Sequence, residues 1–226
     1  YDGMSPVEPS QMRTQPLDNT VLQLRVTMDT ESVQSVLDDM LEPPPDTHVE
    51  RALTSLCARG MLVDVDSAKL TSLGALAANL PLDVATARLL GMSFALDCAD
   101  AGVVLAAALS LQRHPFRDAR MASSTDVGGY NTCAREAFLS RERADAGVLS
   151  DPLALVILYA EYEAHRRRRP ARARGGHGHE DGGWRQPLEG AWCKERGLIP
   201  QRMRDFELAI TSLRRHVCRQ LRVVKP

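Results

Sequence analysis

The side chains that could carry chemistry fall in four places. Arg113-His114-Pro115-Phe116-Arg117 sets two guanidinium groups on either side of a proline and an aromatic ring. That arrangement can hold both cations against phosphates, or it can be a turn that buries Phe116. Ser150-Asp151 opens the apolar helical run DPLALVILYAEYEAH. A residue of this kind at a helix start can simply cap it. Alternatively, the free N–H groups and the serine hydroxyl face a nucleic-acid backbone. Arg166–Arg169, Arg172 and Arg174 can meet phosphates, act as a targeting signal, or be a solvated low-complexity loop. His177-Gly178-His179, with His165 as a third ligand, has the residue types of a metal site. No cysteine stands at ligand spacing, and we read these histidines as fortuitous, with no metal expected.

Motifs for catalysis are missing. The sequence has no GxxxxGKS/T phosphate loop, no GxGxxG after a strand, no HExxH and no GxSxG. We therefore expect no catalytic residue and no cofactor held by this chain. The five cysteines (Cys57, Cys98, Cys133, Cys193, Cys218) form no CxxC pair and are odd in number. They read as small buried hydrophobes in a reducing, intracellular compartment rather than as a disulfide framework.

The elements that must position these residues are mostly helices. The chain has 226 residues, enough for one large or two small domains. It begins at Tyr1, which suggests a fragment or processed product, and residues 1–16 lack the apolar segment of a signal peptide. Its most apolar stretch, 70–111, is broken by Gly74, Pro81, Asp83 and Asp97 into pieces well short of the roughly 20 residues a bilayer span needs, so no membrane is expected. Residues 1–16 read as a connector. Apolar spacing then predicts helices at 17–27, 31–41, 48–59 and 72–80, with Thr30 capping the second and Asp46 or Thr47 the third, and Gly60 stopping the third. Alternation in MLVDVDSAKLT predicts a small hairpin between the third and fourth. Three helices, a hairpin and a following helix make a winged-helix arrangement, with a boundary near 82–84. Beyond it we expect helices at about 83–96, 100–112, 131–144, 151–168, 188–196 and 201–221, capped at the first two by Asp83 and Asp100. A loop at 113–130 and a disordered basic insertion at about 166–187 separate them.

Charge is uneven. Residues 1–112 hold 6 Lys+Arg against 15 Asp+Glu, a net of −9, and residues 113–226 hold 22 against 14, a net of +8. A basic second half is the footprint of a surface near phosphates, or of a solvated helix surface with one arginine-rich loop.

In order, these residues resemble the C-terminal accessory region of DEAH/RHA-type RNA helicases, the part that follows the second RecA-like domain. Glu8 with Arg13-Thr14 and Pro16-Leu17 is similar to the family's exit from that domain, and Val21-Leu22-Gln23-Leu24 to its first helix. Leu41-Glu42-Pro43-Pro44 resembles its diproline turn, and Ala52-Leu53 through Leu56 and Gly60 its next helix. Leu70-Thr71-Ser72-Leu73-Gly74 with Leu80-Pro81-Leu82-Asp83, then Ala107-Ala108-Leu109-Ser110 with Pro115-Phe116, continue the series. Ser150-Asp151, Leu153-Ala154-Leu155, Tyr159, Trp192-Cys193 and Leu198 complete it. Departures include Pro152 in place of a histidine, Met61-Leu62 for Ala-Leu, and a longer, more basic insertion. The spacing looks closest to the RHA-like branch.

The resemblance implies a mainly α fold: a connector at 1–16, a winged helix at 17–82 and a ratchet-like helical bundle at 83–226. It implies a module that closes a channel for single-stranded RNA against RecA-like domains of the same polypeptide, where ATP and Mg would bind, with room for a protein activator. Candidate RNA contacts are then Arg113, Arg117, Ser150 and Asp151; Arg13 and Thr14 are candidates for the RecA-domain interface. With only ten aromatic residues, contact should be led by phosphates rather than by base stacking. A different class of reading is a catalytically silent scaffold held in an assembly by protein contacts. A free-standing winged-helix DNA binder fits least, because His48–Arg59 offers a major groove only Arg51 and Arg59 against Glu50.

Overall fold

The computed structural model describes residues 10–28, 32–118, 127–168 and 186–223, and it is mainly α-helical. Two compact units divide the chain, Tyr1–Asp97 with His216–Pro226, and Cys98–Arg215. The apolar stretch 70–111 is thus shared between them, cut where Asp97 takes a left-handed φ of 55°.

The first unit begins with α1 (Gln11–Thr14), a single turn inside the expected connector. Next come α2 (Asp18–Thr27), α3 (Val33–Asp38), α4 (Asp46–Ala58), α5 (Ser72–Ala78) and α6 (Val84–Ala95). Val21 and Leu22 of α2, Leu37 of α3, Val49 and Leu56 of α4, Ala77 of α5 and Ala87 of α6 meet in one buried cluster. Residues of helical spacing face one another there and remove their apolar area from water. Polar ties close its edge: Gln23 Nε2 donates to Ala78 O at 2.6 Å, and Arg59 pairs with Asp18 at 3.0 Å.

Helix ends follow local chemistry, with two departures from expectation. Pro45, not Asp46 or Thr47, sits at the N-cap of α4; Asp46 lies in the first turn, where its carboxylate accepts from Gln34 instead. Asp100 likewise falls inside the first turn of its helix, after an N-cap at Cys98. Thr30 lies outside the described residues. As expected, Gly60 ends α4 with φ +73°: its N–H donates to Cys57 O, and the Met61 N–H to Leu56 O, both at 2.9 Å.

The expected hairpin contracts to one antiparallel bridge, Leu62 to Leu70, beside Val63 N–H to Lys69 O at 2.8 Å. Val63 and Val65 face solvent, and Asp64 folds the turn by accepting from the Ser67 N–H and hydroxyl. Thr71 joins this turn to α5. Its hydroxyl donates to Gly60 O at 2.7 Å and accepts from Gly74 N–H at 3.0 Å. A Cβ on Gly74 would lie 2.0 Å from Met61 O, so only glycine lets α5 come this close.

The second unit holds α7 (Ala99–Leu109), α8 (Val127–Asp145), α9 (Asp151–Arg167), α10 (Gln186–Glu195) and most of α11 (Pro200–Val223). α7 and α8 both pack on α9. α8 starts earlier than expected and carries Gly128-Gly129 inside its first turn, while 119–126 lie outside the described residues. So do 169–185, which include most of the expected insertion and His177 and His179; α9 runs through Arg167 and α10 begins at Gln186. Tyr159 of α9 meets Phe206 of α11 edge-on at 5.7 Å, and Tyr162 meets Trp192 of α10 at 5.3 Å. Arg166 binds Glu189 at 3.7 Å and also Glu207, tying α9 to both later helices. The cysteines divide: Cys193 is buried, whereas Cys98 and Cys218 are exposed rather than core residues. None of the described helices is long and apolar enough to cross a membrane.

Candidate nucleic-acid interface

The segment after α7 settles between its two readings by geometry. Phe116 is 3% exposed and bridges to Leu198, and Ile199 N–H donates to Pro115 O at 2.8 Å. Arg202 Nη1 donates to His114 O and Phe116 O at 3.3 and 3.2 Å, and Arg141 lies over the Phe116 ring at 5.8 Å. The turn therefore buries its aromatic, as one reading held. The same anchoring leaves the flanking arginines outside. Arg113 is exposed and has no hydrogen bond or ion pair with any other described residue. Arg117 reaches Glu136 Oε2 at only 3.5 Å, with both side chains about half exposed.

Arg117 opens onto a groove of this unit. Two adjoining clefts of about 430 and 290 Å³ share Ser140, Arg143, Glu195 and Arg196. Ser140, Ala144, Leu158 and Leu198 form a closely packed floor. Ser140 donates to Arg196 O at 2.6 Å, and a Cβ on Gly197 would be 3.1 Å from that of Ser140. α8 and the turn after α10 could not approach like this with larger residues. That turn repeats the ending of α4: Gly197 has φ +67°, its N–H donates to Lys194 O, and the Leu198 N–H donates to Cys193 O.

Four cations line the groove: Arg117, Arg143, Lys194 and Arg196. Glu136, Glu161 and Glu195 line it too, so it is mixed rather than uniformly basic. Arg196 is the most firmly held cation. Its guanidinium stacks on the buried Trp192 ring at 4.3 Å, and its Nε stands 3.6 Å from Glu161. Burial pushes the neighbouring Cys193 thiol up to about 11, so it is no thiolate nucleophile at neutral pH.

Ser150 is the N-cap of α9 by position, yet its hydroxyl makes no cap hydrogen bond. Asp145 binds the backbone just before the helix instead. Its carboxylate accepts the Leu149 N–H at 2.8 Å and the Ser150 N–H at 3.0 Å. These bonds hold its carboxyl below the usual carboxylate range. Leu149 is left at φ +56° and 93% exposed, and Asp151 is exposed beside it. Ser150, Asp151 and Arg113 are not among the lining residues of the groove that Arg117 enters. Arg13 and Thr14 belong to the other unit, both exposed on α1. Sequence reasoning missed Arg143, Lys194 and Arg196. Glu136, Ser140 and Arg143 stand at i, i+4 and i+7, a periodicity that could have marked one helix face.

No protein-family model matches the chain. Among known proteins, it is 28% identical over 219 residues to a Mycosarcoma maydis protein named as a DEAH-box ATP-dependent helicase. It is 34% identical over 116 residues, 51% of the chain, to the ATP-dependent RNA helicase DHX34 of Mus musculus, and 32% identical over 116 residues to that of Homo sapiens. The first alignment covers 95% of this chain but 12% of the relative, and the others 10% of theirs. These relatives are thus a DEAH-box ATP-dependent helicase and two ATP-dependent RNA helicases, of whose length this chain spans about a tenth.

Proposed function

We propose that this chain is the accessory module of a DEAH-type RNA helicase, lining the path of single-stranded RNA and coupling it to RecA-like domains of the same polypeptide. Residues 17–82 would be the winged helix and 83–226 the ratchet-like bundle. ATP and Mg would act in the RecA-like domains, in an intracellular, reducing compartment, and Arg13 and Thr14 would face those domains. The observation that carries this reading is the alignment with a DEAH-box helicase over 95% of the chain. The cations of the second unit agree with it: a groove holding Arg117, Arg143, Lys194 and Arg196 can follow a phosphate backbone without reading bases.

A salt titration of residues 1–226 with single-stranded RNA tests it. Arg113→Ala with Arg117→Ala should weaken binding and flatten its salt dependence by about one to two contacts, roughly 0.7 in slope for each phosphate lost. Unchanged affinity across the titration would remove that segment from the interface.

The scaffold reading has one observation in its favour. Val148, Leu149 and Leu153 form an exposed apolar tip beside Asp145 and Asp151, which suits a protein surface better than a phosphate. A full-length protein that shows neither ATP turnover nor RNA unwinding would support it, and measurable unwinding would exclude it.

A further inference from the structure

Of the four groove cations, Arg196 alone is backed by an aromatic ring, and its ion pair with Glu161 is a long one. One face of its guanidinium is covered by Trp192 at 4.3 Å, and that indole is itself fixed by Tyr162 at 5.3 Å. Its backbone carbonyl is held by Ser140, so the residue is anchored at both ends. Its Nε stands at 3.6 Å from Glu161, beyond a good hydrogen bond, with both side chains partly in solvent. The Nη groups make no hydrogen bond to any described residue. A guanidinium offers five donors in a planar fork, and holding the plane in advance avoids the ordering cost of a free arginine. Arg143 and Lys194 stand along the same cleft without partners among the described residues.

We propose that Arg196 is a preformed anchor for one phosphodiester of single-stranded RNA, with Trp192 as its backing and Glu161 as the carboxylate that the phosphate displaces. The proposal rests on the RNA-path reading and adds to it a named residue and ligand group. Recurrence of cations at Arg143, Lys194 and Arg117 favours a polyanion over a single small anion, because each further phosphate meets another fixed charge. Glu161 and Glu195 temper the field, which keeps the hold on RNA loose enough for a strand that must move.

Trp192 makes the site observable. In residues 1–226 carrying Trp184→Phe it is the sole tryptophan. Titration with a twelve-residue oligouridylate should change its emission saturably, with the same midpoint as the anisotropy of end-labelled RNA. Arg196→Ala should weaken binding about tenfold and lower the salt slope by roughly 0.7. Arg196→Lys should keep the salt slope, because the charge remains, yet lose much of the affinity, because an ammonium cannot keep a plane against the indole. Glu161→Gln should bind more tightly, a gain that misfolding cannot mimic. RNA binding with silent Trp192 emission, or wild-type affinity in Arg196→Ala, overturns the anchor while leaving the RNA-path reading standing. No anisotropy change in the parent chain overturns that reading and the anchor with it. Competition by a polyglutamate peptide as strong as by unlabelled RNA would reassign the groove to an acidic protein.

Discussion

Asp83 and Ser150 occupy equivalent positions, each just before a helix, and behave in opposite ways. Asp83 accepts the Ala85 and Thr86 N–H groups at 2.9 and 3.0 Å and the Thr86 hydroxyl at 2.6 Å. Ser150 accepts none. The second residue of its helix is Pro152, which has no N–H, and Asp145 has already drawn in the Ser150 backbone. The cap at Asp83 was legible from one residue and its neighbours. The uncapped Ser150 was not, because Asp145 acts from the preceding helix. Replacing Asp83 by alanine should cost about 1 kcal/mol in urea or thermal unfolding, and by asparagine much less. Partial burial raises the Asp83 carboxyl, but the Thr86 and Ala85 bonds outweigh it and hold it below its ordinary value. Its contribution is therefore fully present above roughly pH 4 and is lost as pH falls through the folded value. Asp83→Ala should flatten the acid limb of the stability curve; an identical acid limb would show that the bonds are not kept in solution.

At the scale of elements, helices with a strong apolar stripe were readable because their signals are local. Val49, Ala52 and Leu56 bury one side of α4, and Met203, Phe206, Ile210 and Leu213 one side of α11. Weak signals failed. Gly128-Gly129 argued for a loop, since each glycine costs a helix about 1 kcal/mol relative to alanine, yet α8 runs through both. The buried residues of α8, Ala137, Ser140 and Ala144, lie further on, in the part that apolar spacing had marked. The hairpin reduced to one bridge because too few alternating residues face a core to sustain a ladder. The two glycine endings offer a paired test. Gly60 and Gly197 both have positive φ, but a Cβ on Gly60 meets nothing within 4 Å, whereas one on Gly197 meets Ser140. Gly60→Ala should cost roughly 1 kcal/mol, the backbone strain alone, and Gly197→Ala clearly more. Ser140→Gly should recover part of the second loss and none of the first. Equal melting shifts for the two alanine variants would mean that α8 yields freely at the groove floor.

For the whole molecule, charge is the property that scales up least simply. The second half is net basic, but its groove mixes four cations with three carboxylates. Such a surface should hold RNA weakly and lose it quickly with salt. The chain should show no ATP turnover of its own, with or without RNA, in a phosphate-release assay. Release above the blank would overturn the proposal that it is an accessory module.

Sequence alone determined the order of most helices and several of their ends, because apolar period, capping and glycine stops act within a few residues along the chain. It also determined the resemblance, carried by motifs in their order. Tertiary structure alone decided which cations share a groove. Arg117, Arg143, Lys194 and Arg196 lie as many as 79 positions apart and meet only where α8 and the turn after α10 touch through Ser140 and Gly197. Whether a guanidinium is spent on a carboxylate, laid on an indole or left to solvent depends on that contact, and no spacing rule along the chain encodes it.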